Sequence, residues 1–169
     1  MNLSYASSNI LPVTGFGYLI PRSTPPSHNP HKALGVVFDS DSMPGLLDAP
    51  DQTKLSVLLG GHQYAKDEMP DKPTLVHQAV DTVARHLGVE SKPTLGIAHQ
   101  QKDCIPQYGV GHVDRMRELH TALEGKSVSL IGASYDGVGV NDCIWSGLQT
   151  ADKLVRDGHV TGLEGISAM

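Results

Sequence analysis

The stretch of sequence that decides the fold is Leu130-Ile131-Gly132-Ala133-Ser134-Tyr135-Asp136-Gly137-Val138-Gly139-Val140-Asn141-Asp142-Cys143-Ile144. Its first residues complete an apolar run, 128–132, that is typical of a strand. Its three glycines then predict a loop with free backbone angles, and Asn141 or Asp142 predicts the N-cap of a helix. A strand–loop–helix unit of this kind turns unpaired N–H groups and the positive end of the helix dipole towards the loop. Such a loop favours an anion or an electron-rich group.

The spacing of the glycines does not match a phosphate-binding motif. Gly137 and Gly139 begin the pattern G-x-G-x-x-G, but Asp142 stands where its third glycine is required. The pattern Gly-Lys-Ser/Thr also does not occur in the chain. A tight strand-to-helix turn with purely structural glycines explains the same residues, so the residues alone leave both interpretations open.

The rest of the chain alternates predicted strands and helices, which indicates an α/β fold of mixed α+β character. Strands are predicted at 34–39, 54–60 and 94–99, and the first two are expected to pair antiparallel. Apolar residues at helical spacing predict three helices: one built on Val76, Val80, Val83 and Leu87 and ended by Gly88, one at 111–124, and one at 142–157. The last helix is expected to bury the stripe formed by Ile144, Leu148, Ala151 and Val155.

Composition narrows the function classes. The chain has 169 residues, enough for one modest domain, and its net charge of −5 argues against a nucleic-acid partner. No apolar run approaches the roughly 18 residues of a membrane span, and the first residues lack the pattern of a signal peptide. The two cysteines, Cys104 and Cys143, are expected to be buried thiols. The nine histidines lack metal-site spacing, so no metal site is predicted.

The glycine-rich run from Gly132 to Ile144 resembles the C-terminal FAD-contacting motif of the protoporphyrinogen oxidase family, which is part of the amine-oxidase-like flavoproteins. Three further segments resemble the same family in the same order, and the likeness extends from the first strand to about Leu154. These segments are Gly15-Phe16-Gly17-Tyr18-Leu19-Ile20-Pro21, Leu34-Gly35-Val36-Val37-Phe38-Asp39-Ser40, and Cys104-Ile105-Pro106-Gln107-Tyr108 with Gly111-His112.

The resemblance implies how the chain is organised. Residues 1–125 would derive from the antiparallel sheet of a substrate domain, and residues 126–158 would be the last strand and helix of an FAD domain. Residues 159–169 are small and polar and are expected to be a tail that frays. Enzymes of this family begin with a βαβ unit that carries G-x-G-x-x-G for the FAD diphosphate, and this sequence has no such unit. The resemblance therefore implies a C-terminal fragment that is inactive alone and needs the missing N-terminal part.

The resemblance also implies an activity and its cofactor. The family oxidises protoporphyrinogen IX to protoporphyrin IX in haem synthesis, with FAD as the hydride acceptor and oxygen as the final acceptor. By position, Gly137, Val138, Gly139 and Gln100 would contact FAD. No side chain is expected to be catalytic, because the cofactor takes the hydride. Tyr135 and Asp136 are expected to fill and cap the turn, and His112 to cap or pack its helix.

The same resemblance implies a location and leaves two alternatives. It places the parent enzyme at the mitochondrial inner membrane, peripherally associated, with a homodimer as a further expectation. One alternative is another amine-oxidase-like flavoenzyme, which the run from Cys104 to Tyr108 disfavours. The other is a non-enzymatic remnant that binds porphyrin or a partner, which the missing dinucleotide unit favours.

Overall fold

The computed structural model describes residues 1–45, 51–64 and 69–167. It separates the chain into two compact units, residues 1–100 and residues 101–169. The division of the chain into substrate-domain and FAD-domain segments at residue 125 is a different kind of division, and it stays a prediction. The end of the predicted tail lies outside the described residues.

The first unit contains β1 (Asn2–Tyr5), β2 (Gly17–Leu19), β3 (Ala33–Phe38), α1 (Asp39–Ser42), β4 (Thr53–Leu59) and β5 (Leu95–Ile97). Its five strands form an antiparallel sheet in the order β2-β3-β4-β1-β5. The predicted antiparallel pair is confirmed, because β3 and β4 are neighbours, with Val36 opposite Val57. A four-residue helix, α1, follows β3 directly.

One face of this sheet carries the core of the first unit. The helix α2 (Lys72–Leu87) packs there, with the Asp71 side chain accepting a hydrogen bond from Thr74 N–H as its N-cap. Gly88 ends α2 at φ +68°, as predicted. The period-2 burial of the strands and the 3.6-residue stripe of α2 meet in one cluster. Its members are Leu3, Tyr5, Val36, Phe38, Leu55, Val57, Ala79, Val83 and Val89.

The second unit is helical. It contains α3 (His112–Leu123), α4 (Val140–Asp157) and α5 (Glu164–Ser167). Both long helices were predicted, and α4 begins two residues earlier than expected. The small core of this unit joins Met116 of α3 to Leu163 and Ile166 near the chain end. The tail therefore packs against the unit, and the expectation that it frays is wrong for its described part.

The run at 128–132 and the apolar stripe on α4 both differ from their sequence-based predictions. Residues 128–132 form no strand; instead the Leu130 N–H donates one hydrogen bond to the Thr161 carbonyl at 2.8 Å. A strand needs a ladder partner, and among the described residues this run has none. The stripe on α4 is likewise not buried: the side chains of Ile144, Leu148 and Val155 are 56%, 60% and 86% exposed. Periodicity identifies an apolar face without showing what covers it.

A hydrogen-bond network anchors the described part of the tail. Glu164 Oε1 accepts from the Thr161 N–H at 2.6 Å and from the Thr161 hydroxyl at 3.0 Å. The same hydroxyl lies 2.7 Å from His120 Nδ1 on α3, and Lys153 Nζ lies 3.7 Å from Glu164 Oε2. Burial raises the pKa of Glu164, but these hydrogen bonds and the nearby ammonium outweigh it, so its pKa lies below the ordinary value.

We expect this network to weaken in acid. Because the folded pKa of Glu164 is depressed, its stabilising contribution is present above the unfolded value of 4.5 and is lost as pH falls through the lower folded pKa. Urea midpoints measured from pH 6 to pH 3 should therefore fall more steeply in the unchanged chain than in Glu164→Gln. Parallel slopes in the two chains would show that Glu164 does not carry this dependence.

Candidate functional site

The loop between residues 132 and 139 is the candidate site. Gly132 and Gly137 have φ of +103° and +89°, in the region that L side chains rarely adopt. Gly139 has φ −72° and ψ 151°, which any residue can adopt. The prediction of free backbone angles is thus confirmed at two of the three glycines, and Gly139 must be explained by packing instead.

Asp142 packs directly beneath the loop. Its Oδ2 accepts a hydrogen bond from the Gly139 N–H at 3.1 Å. A Cβ built on Gly137 would lie 2.5 Å from the Asp142 Cβ, and one built on Gly139 would lie 2.8 Å from Asp142 Oδ2. The N-cap of α4 is therefore Gly139, and the expectation that Asn141 or Asp142 fills that position is wrong. Asp142 serves instead from the third helical position, reaching back as in a capping box.

The position of Asp142 changes what the loop can attract. A carboxylate in the first turn compensates the positive end of the helix dipole. The loop therefore offers backbone and small side chains beside a helix N-terminus whose first turn already holds a carboxylate. That arrangement is less favourable to a phosphate group than a helix N-terminus without a carboxylate would be.

The side chains around the loop are largely open to solvent. Val138 is 47% exposed and Val140 is 76% exposed. Trp145 is 65% exposed. The expectation of buried thiols is also wrong, since Cys104 is exposed and Cys143 is half-buried. Exposed apolar side chains are thus available for contact around the loop.

Two side chains that the sequence analysis left without a role in the site hold the loop. The Tyr108 hydroxyl donates to the Ala133 carbonyl at 2.6 Å, and His112 Nε2 lies 2.8 Å from the Tyr135 carbonyl. The Tyr108 and His112 rings stack at 4.0 Å between centroids, 4° from parallel. The sequence places both residues in one short segment, but their partners lie 25 and 23 residues further along the chain, and spacing cannot identify them.

Gln100 belongs to the other unit. It is exposed, and its Nε2 donates to the Pro70 carbonyl at 2.9 Å within that unit. Gly137, Val138 and Gly139 share one loop, whereas Gln100 is not part of that loop. A contact between Gln100 and FAD stays a prediction.

The open face of the sheet holds a cavity of about 520 Å³. Polar and apolar side chains mix in its wall, with the Lys54 ammonium and the Asp39 carboxylate as its charged groups. The lining residues are Asn2, Leu3, Ser4, Asp39, Met43, Gln52, Lys54, Leu55, Ser56, Leu95 and Ile97. This size falls within the range of small-molecule sites, roughly 300–1,000 Å³.

Neither a membrane-spanning helix nor a metal-binding cluster is present among the described residues. No described helix is long and apolar enough to cross a bilayer. Within residues 1–45, 51–64 and 69–167, no three His, Cys, Asp or Glu side chains gather as a metal site would require.

Comparison with known proteins supports the resemblance. No protein-family model matches the chain. The protoporphyrinogen oxidase of Schizosaccharomyces pombe is 40% identical over 160 residues, which cover 91% of this chain and 31% of that protein. The Homo sapiens protoporphyrinogen oxidase is 36% identical, covering 89% of this chain and 32% of that protein. The Bacillus subtilis coproporphyrinogen III oxidase is 31% identical over 75 residues, covering 43% and 16%.

A solved structure shows the same fold. A protein of Exiguobacterium sp. 255-15, assigned as a protoporphyrinogen oxidase, matches with a TM-score of 0.69 and 24% identity. The match covers 90% of this chain and 33% of that one. The expected fold class is confirmed, and the chain is homologous to protoporphyrinogen oxidases. It spans about a third of the length of the curated relatives it matches.

Proposed function

We propose that this chain is the C-terminal part of an oxygen-dependent, FAD-dependent protoporphyrinogen oxidase, and that its glycine loop contacts the flavin. The observation that carries the proposal is the 40% identity to the Schizosaccharomyces pombe protoporphyrinogen oxidase over 91% of this chain. The same identity supports a porphyrinogen as the class of substrate, and the flavin contact of the loop is supported by the resemblance of its motif. Oxygen as final acceptor, a location at the mitochondrial inner membrane and a homodimeric parent are proposed with it and rest on resemblance.

The residues present fit a flavin ring. Gly137 and Gly139 carry no side chain, and Asp142 occupies the space where their Cβ atoms would lie. Val138 between them presents an exposed apolar side chain. When bound, FAD would accept the hydride from the porphyrinogen. The task of this chain is then to position the ring: the loop sets how closely it approaches, and Asp142 fixes the start of α4. Gln100 is proposed as a further contact.

The first test uses the chain alone. We expect it not to retain FAD through desalting, because the sequence has no G-x-G-x-x-G unit to hold the diphosphate. An absorbance spectrum of the desalted protein measures this directly. Stoichiometric bound flavin would contradict the assignment of diphosphate binding to a part outside this chain.

The cavity on the open sheet face favours one alternative, a remnant that binds porphyrin without catalysis. Protoporphyrin titrated into the isolated chain distinguishes the two readings through the Soret band. Two results together would favour the remnant. Porphyrin would shift the Soret band saturably, with weaker binding in Lys54→Ala, and loop variants of a complete enzyme would leave FAD affinity unchanged. A substrate other than a porphyrinogen, the remaining alternative, would be revealed by turnover assays of that complete enzyme.

A further inference from the structure

The glycine loop is held from outside by two hydrogen-bond donors that act as a unit. The Tyr108 hydroxyl and His112 Nε2 reach the carbonyls of Ala133 and Tyr135, which are two residues apart. A carbonyl only accepts, so His112 Nε2 carries a hydrogen. The parallel ring stack sets both donors against the same edge of the loop.

The local backbone explains why this pair can form. Gly111, with φ +80°, is the N-cap of α3, and the His112 N–H donates to the Gly109 carbonyl at 3.1 Å. This turn folds the chain back so that the ring of Tyr108 lies over that of His112. The turn that brings the two rings together thus lies within residues 108–112, outside the glycine loop. The pair presents two donors to that loop.

The bonds fall on the half of the loop that Asp142 does not hold. Asp142 fixes Gly139 at the helix end, while the Tyr135 N–H donates to the Gly132 carbonyl at 3.1 Å at the opposite end of the loop. The bonds from Tyr108 and His112 brace this second turn, on either side of Ser134. Gly137, with its positive φ, lies between the two braced ends.

We propose that Tyr108 and His112 are positioning residues, a clamp that fixes the glycine loop in the shape presented to the flavin. The significance for flavin rests on the proposed function; the clamp itself concerns only the loop. His112 is half-buried and Tyr108 is 40% exposed. Since a hydrogen bond contributes more where water competes less, His112 carries the larger share.

The test removes each donor and keeps each ring. His112→Phe and Tyr108→Phe preserve stacking, and His120→Phe is the matched control, since His120 lies on the same helix but bonds Thr161. In the full 169-residue chain, amide hydrogen exchange at Tyr135 should accelerate about five-fold in His112→Phe, as the loss of one hydrogen bond implies. The acceleration should be smaller in Tyr108→Phe and absent in His120→Phe.

Unchanged exchange at Tyr135 in both variants would overturn the clamp. If His112→Phe fails to fold, Tyr108→Phe carries the test, together with the ¹⁵N shift of His112 Nε2 in the unchanged chain. That shift should show that Nε2 carries a hydrogen. A shift typical of an Nε2 without a hydrogen would also overturn the proposal.

A flavin measurement separates this inference from the proposed function. The same variants are placed in a chimaera in which this chain replaces the matching third of the Schizosaccharomyces pombe enzyme. Faster exchange with weaker FAD binding supports both proposals. Faster exchange with unchanged FAD binding, in these variants and in Gly137→Val alike, supports the clamp and removes the flavin contact.

Discussion

Replacing Gly137 with valine should lower FAD affinity about five- to 150-fold in a chimaera in which this chain replaces the matching third of the Schizosaccharomyces pombe enzyme. At φ +89° a β-branched residue is strained, and its Cβ would lie 2.5 Å from the Asp142 Cβ. Strain of this kind costs about 1–3 kcal/mol, and each 1.4 kcal/mol changes a binding constant about tenfold. Turnover should fall with affinity, because a displaced ring no longer meets the substrate in reacting geometry.

Two further glycines act as controls. Gly139→Val should have the smaller effect, since its φ is negative and only a side-chain oxygen of Asp142 must move. Gly88→Val carries the same positive-φ strain at the end of α2, with no atom within 4 Å of the added Cβ. It should lower stability while FAD affinity of the folded protein stays constant. Wild-type affinity and turnover in Gly137→Val would show that the loop is structural only.

Truncating Leu55 to alanine should cost about 2–5 kcal/mol of the free energy of unfolding of the first unit. Leu55 is fully buried at the centre of β4, between the strands that supply most of the core. Removing its side chain loses burial energy and leaves a cavity, because the paired backbone on both sides limits collapse. Urea unfolding followed by circular dichroism measures the change.

The matched control is Leu19→Ala on the edge strand β2. Leu19 is 80% exposed, so its truncation should change the free energy of unfolding by less than about 0.5 kcal/mol. Equal losses in the two variants would show that the sheet does not bury its core where the structure places it.

The elements that the sequence predicts correctly are those whose signals are local. The helix α2 has its stripe, its Asp71 N-cap and its Gly88 terminator within 18 residues. The pair β3–β4 is apolar and β-branched and is bounded by loop residues. Residues 128–132 carry the same kind of signal but form no strand, because pairing depends on a neighbour that composition cannot supply.

The candidate site divides in the same way. The glycines that shape the loop could be found from the motif, and Asp142 was recognised only as a helix cap or as a missing glycine. Its actual role, filling the space under Gly137, depends on side-chain packing. The contacts of Tyr108 and His112 with the loop, and of His120 with the tail, join residues more than 20 positions apart, which no local period encodes.

The exposed stripe on α4 also bears on the heat capacity of the second unit. Unfolding raises heat capacity mainly by bringing apolar surface into water. Ile144, Leu148 and Val155 already meet water in the folded chain, so melting hydrates little more of them. The second unit should therefore have a flatter stability curve with temperature, per residue, than the sheet unit, whose apolar groups are enclosed.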